Sequence, residues 1–146
     1  MRVALLAASL LTTLGCSSAT GLARCEPGAG TAVVCARLDE EFDLRLNETA
    51  YIANTPLSIQ AVAVPEDSRC PTDVVCAWAG NARVSLTLRE GANAYGGDVN
   101  STLQPRAVSR FGYSVELVEV RPAPLSTQPL PAGAYVFRLV ARRASS

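Results

Sequence analysis

Hydrophobic residues recur at every second position in this chain, and that period decides its fold class. Ala82, Val84, Leu86 and Leu88 alternate with Arg83, Ser85, Thr87 and Arg89. A strand directs successive side chains to opposite faces, so such a segment has one buried face and one wet face. Phe42, Leu44 and Leu46 repeat the pattern around Asp43 and Arg45, and Asn47-Glu48-Thr49 reads as the turn that follows. Residues 57–64 form a further apolar strand, which Pro65 is expected to end because proline lacks the ladder donor. Gly91, Gly96 and Gly97 suggest a turn region, followed by a weak strand of Val99, Ser101 and Leu103 before Pro105. Tyr113, Val115 and Leu117 begin on one parity and Val118 and Val120 continue on the other, which predicts a bulge near Leu117. Pro122, Pro124, Pro129 and Pro131 mark a loop. Residues 134–140 read as a closing strand, and Arg142-Arg143 as a solvated tail. Nothing beyond the first 15 residues sustains a period of 3.6. The expectation is therefore an all-β protein, a single β-sandwich of about seven strands with one or two disulfides. The spacing of Trp78 from the cysteines does not fit an immunoglobulin domain.

The N-terminus carries a different message. Arg2 is followed by an apolar run to Gly15, shorter than the roughly 20 residues that a spanning helix needs. It fits an export signal removed on maturation. Gly15-Cys16-Ser17 resembles the lipobox of bacterial lipoproteins, although Thr13 and Leu14 stand where a leucine and a small residue are usual. The expected organisation is a signal peptide over 1–15, a lipidated Cys16 and tether over 16–30, and a β-sandwich domain over 31–146. Ser17 after the cysteine fits sorting to the outer membrane, with the domain facing the periplasm. Cleavage after Ala19 or Ala23 would instead give a secreted or periplasmic protein.

Export makes disulfides the default use of the remaining cysteines. Cys25, Cys35, Cys70 and Cys76 allow three connectivities, of which local pairing, Cys25 with Cys35 and Cys70 with Cys76, is expected. Each short closed loop would add about 2–3 kcal/mol.

Composition excludes much chemistry. The 146 residues contain no His, and all 13 basic residues are Arg. Without His, Ser-His-Asp and Cys-His catalysis and His-ligated zinc are ruled out. Without Lys, Schiff-base chemistry and the phosphate-loop lysine are too. The 13 Asp and Glu balance the 13 Arg, so nothing attracts nucleic acid, and none is expected as a partner. No metal site and no cofactor are expected. Glu66, Asp67 and Asp73 lack calcium-loop spacing.

The most distinctive segment runs Glu66-Asp67-Ser68-Arg69-Cys70-Pro71-Thr72-Asp73-Val74-Val75-Cys76-Ala77-Trp78-Ala79-Gly80-Asn81-Ala82. It resembles a motif of small bacterial lipoproteins and exported proteins of uncharacterised function: Asp-Ser-Arg-Cys-Pro, then Cys, a hydrophobe, and Trp-Ala-Gly before an alternating strand. Phe42 to Leu44, the run from Gly112 to Leu117, and Pro122-Ala123-Pro124 follow the same order. The resemblance implies an exported β-rich domain with a Cys70–Cys76 bridge and implies no activity. From the residues themselves, Pro71 stiffens the loop, Asp67 and Ser68 suit turn hydrogen bonds, and Gly80 suits a positive φ.

Asp67, Arg69, Trp78 and Asn81 form the candidate binding loop, since Trp beside Arg is typical of interface anchors. The plainer alternative packs Trp78 in the core and pairs Asp67 with Arg69 internally. The Cys70 to Cys76 spacing is not that of a redox couple, and a permanent bridge is expected. Together these features suggest a non-catalytic envelope lipoprotein, held to the membrane by its lipid and binding or supporting an envelope protein. An inhibitor of an envelope-acting protease or wall hydrolase is the alternative, and a thiol-redox protein is a third.

Overall fold

The computed structural model describes residues 34–144. Among these residues nine strands run in the order β1 (Val34–Ala36), β2 (Glu41–Arg45), β3 (Thr49–Ile52), β4 (Leu57–Asp67), β5 (Ala82–Glu90), β6 (Asn93–Asn100), β7 (Ala107–Arg110), β8 (Tyr113–Arg121) and β9 (Val136–Arg143). They form one five-stranded sheet, β1-β3-β4-β5-β6, and one four-stranded sheet, β2-β9-β8-β7. Neighbours are antiparallel except for the parallel pair β1 and β3. The all-β sandwich is therefore present, with nine strands rather than about seven. The three that the sequence pattern did not single out are short: β1, β3 and β7 span 3, 4 and 4 residues, too few for a period to stand out.

The alternating residues build the core. Val84, Leu86 and Leu88 of one sheet and Val115, Leu117, Phe137 and Leu139 of the other belong to a single buried cluster. Each such side chain contributes about 1.5–3 kcal/mol by leaving water. The bulge in β8 lies where the parity change places it. Pairing steps from Leu117 opposite Leu139 to Glu119 opposite Arg138, so Val118 is extra and Val120 returns to the buried face.

Three expectations need correction. Pro65 does not end β4, which continues to Asp67. The register of β4 on β5 slips between Ala63 and Glu66, placing Val64 and Pro65 together opposite Val84. A bulge is the position where a missing donor costs least, so the proline is accommodated inside the strand. Gly96 and Gly97 are not turn residues but lie within β6, while Ser101 and Leu103 fall beyond its end. A Cβ on Gly97 would stand 2.6 Å from Cγ2 of Val108, so this glycine lets β6 lie close against β7. The turn itself is only Gly91 and Ala92, between the paired Glu90 and Asn93. Arg142 and Arg143 are not a tail. They belong to β9, where Arg142 meets Glu116 at 2.7 Å and Arg143 lies over the ring of Tyr113. Both are exposed at the end of the paired strand, where two adjacent arginines resemble a chain end in sequence.

Candidate functional site

Between β4 and β5 the chain leaves the sheet and returns, and three sets of contacts fix its path. The first is a charged clamp. Asp67 accepts from Arg69 Nε at 2.8 Å and from Nη2 at 2.7 Å, and Tyr135 Oη donates to it at 3.0 Å. Arg69 in turn donates to the carbonyls of Val120 and Pro122, at the end of β8. One guanidinium thus ties the five-stranded sheet to the four-stranded one. Both side chains of the pair are only 12% exposed. Burial pushes the Asp67 carboxyl up, but the hydrogen bonds and charge of Arg69, aided by Tyr135, outweigh it and hold the group below its ordinary value. Burial and the neighbouring Asp67 raise the Tyr135 phenol.

The second set zips the loop's two ends together. The Ser68 N–H donates to Asn81 O at 2.7 Å, and the Cys70 N–H donates to Ala79 O at 2.8 Å. Ser68 Oγ accepts from the Asn81 N–H and donates to its carbonyl. Between these rungs Gly80 has φ +71°, and a Cβ there would overlap the Ser68 carbonyl group and sit 2.8 Å from Arg69 Cα. The Asn81 side chain points inward. Its Nδ2 donates to Asn100 Oδ1 at 2.9 Å and its Oδ1 accepts from the Thr102 N–H, and the residue is 4% exposed.

The third set braces the tip. Cys70 and Cys76 are bridged, with Cα atoms 5.9 Å apart. Asp73 accepts from the Ser126 N–H at 2.8 Å and from its hydroxyl at 2.6 Å, and the Thr72 N–H donates to Pro124 O. The Ser126 bonds hold the Asp73 carboxyl below its ordinary value. The proline-rich loop after β8 is therefore the buttress of the cysteine loop.

With those polar groups engaged, the apolar ones face solvent. Trp78 is 80% exposed, Val75 is fully exposed and Val74 is substantially so. Trp78 does not pack in the core. It stands over a cleft of about 380 Å³ together with Leu103, Glu66, Ser68, Gly80 and Thr102. Leu103 is itself 59% exposed. The volume lies in the range of ligand sites, roughly 300–1,000 Å³.

The four candidate residues divide. Asp67 and Arg69 are brought together as an internal clamp, Asn81 is a buried hub, and Trp78 alone is presented outward. Leu103, expected in a strand, is a cleft wall instead. Tyr135 and Ser126 gave no local signal, because they meet this loop from 68 and 53 residues away. Cys35 lies in β1 and is disulfide-bonded rather than free, while its expected pairing with Cys25, and the lipidation of Cys16, lie outside the described residues. Among the described residues no three or more Asp, Glu or Cys are grouped to hold a metal ion. No protein-family model, curated protein or solved structure matches the chain.

Proposed function

We propose that the chain is a non-catalytic envelope lipoprotein, anchored through Cys16, that binds a protein partner with the loop around Trp78. One observation carries this reading: clamp, zipper and disulfide brace the loop, yet its tryptophan is left in water. A free tryptophan costs nothing to fold and offers the largest apolar contact of any side chain. Held on a rigid loop, it loses little entropy on docking. The expected result for Trp78→Ala is an unchanged unfolding midpoint, within about 0.5 kcal/mol of the parent, because an exposed side chain is removed. Partners recovered by crosslinking in the envelope are expected to disappear. A folded Trp78→Ala protein that retains every partner would sink the loop assignment.

The anchor has its own test. The intact mass of protein taken from its envelope, alkylated before reduction, is expected to carry a diacyl or triacyl increment and no alkyl groups. An unlipidated mass would make the protein soluble, and alkylation at Cys70 and Cys76 would revive a thiol role.

A second reading is favoured by Val75, fully exposed within the ring closed by Cys70 and Cys76. A stiff loop with a protruding aliphatic side chain suits insertion into an enzyme's pocket, as an inhibitor does. Assaying envelope-acting proteases and wall hydrolases with the purified protein separates the two readings.

A further inference from the structure

We infer that the cleft beside Trp78 receives a large apolar side chain of a partner protein that is flanked by lysine or arginine. This rests on the binding-module reading and adds the chemistry of the partner. The apolar part follows from the lining, which includes the largely exposed Trp78 and Leu103 together with Ala79 and Gly80. The cationic part follows from the charge around it. Glu66 is the charged residue that lines the cleft. Arg69 is committed to Asp67. Arg83 is the cross-strand neighbour of Glu66 but reaches Asp98, at 4.0 Å. Glu66 is exposed, and its carboxylate lies 3.3 Å from the Ser68 hydroxyl, whose one proton it shares with the closer Asn81 carbonyl. With Asp67 and Asp98 each facing an arginine, Glu66 gives the edge of the cleft a local negative charge on a chain that is neutral as a whole. A carboxylate at the edge of an apolar cleft attracts a basic segment and disfavours an acidic one, with an effect on encounter that salt screens.

Trp78 is the only tryptophan, so its fluorescence reports on the cleft directly. The purified protein is titrated at low salt with three capped peptides, Gly-Lys-Phe-Lys-Gly, Gly-Glu-Phe-Glu-Gly and Gly-Lys-Ala-Lys-Gly, and with neutral phosphatidylcholine vesicles. The lysine–phenylalanine peptide is expected to perturb the emission saturably and to bind roughly tenfold more tightly than the glutamate peptide, a ratio that shrinks in 0.5 M salt. The alanine peptide is expected to bind weakest of the basic pair. Glu66→Gln, an exposed substitution, is expected to lower the charge ratio about threefold, and Leu103→Ala to weaken both phenylalanine peptides. Equal binding of the two phenylalanine peptides would overturn the charge selection and leave the apolar cleft standing. A blue shift with vesicles and none with peptides would overturn the proposal in favour of a lipid surface. No response to any probe, with partners still lost in Trp78→Ala, would overturn this inference alone. No response, with partners retained, would overturn the binding-module reading as well.

Discussion

Replacing Gly80 by alanine is expected to be among the most damaging single changes in the described chain, costing more than about 3 kcal/mol. Two effects combine at this position. Its φ of +71° disfavours any L side chain, and the new Cβ would overlap the Ser68 carbonyl. Backbone cannot rotate away as a side-chain tip can, so the rungs from Ser68 to Asn81 and from Cys70 to Ala79 must open. Gly91 separates the two effects. Its φ is +58°, but a Cβ there meets nothing within 4 Å. Gly91→Ala is expected to cost only about 1 kcal/mol, the conformational part alone. Denaturant titration of both variants measures the difference. Equal costs would mean that the close approach at Gly80 has little energetic weight.

The second large effect is expected at Asp67. Asp67→Ala removes the acceptor of two guanidinium bonds and of the Tyr135 hydroxyl at once, leaving a largely buried cation without its counter-charge. Removing one partner of such a pair costs about 3 kcal/mol, more than the pair as a whole contributes. Asp67→Asn keeps an acceptor for the hydroxyl and is expected to lose less. The same carboxylate sets an acid dependence. Its folded pKa lies below the unfolded one, so its contribution is fully present above the ordinary aspartate range, near about pH 4. The contribution is lost as the pH falls through the lowered folded value. Parent and Asp67→Asn stabilities are therefore expected to converge in acid and to differ most near neutrality. A gap between them that does not change with pH would show that the charge of Asp67 is not what holds the clamp.

Much of the fold was legible because buried strands write their period into the sequence. The inward residues of β5 and β2 follow strict alternation, and even the bulge in β8 left a visible change of parity. Legibility failed where the third dimension supplies the reason. Pro65 looked like a strand end because a proline in a ladder is costly, and only the slip against β5 shows the place where that cost vanishes. Gly96 and Gly97 looked like a turn, whereas the close approach of Val108 is what calls for a residue without a side chain at Gly97. Arg142 and Arg143 looked like a tail because two adjacent exposed arginines lack the alternation that marks a strand, and only pairing with β8 shows that they belong to one.

The binding loop divides along the same line. Sequence alone determined that Cys70 and Cys76 would lie close, that Gly80 would turn the chain back, and that Asp67 and Arg69 would be near each other. Each of these is a property of neighbours a few residues apart. Whether Trp78 faces the core or the solvent was not determined there. An indole suits either place, and its position depends on what lies opposite. Tertiary structure decided it by bringing Val120, Pro122, Ser126 and Tyr135 to the loop from far along the chain. Those residues satisfy the loop's polar groups and hold it at the sandwich's end, so that Trp78 is left facing water together with Val74 and Val75.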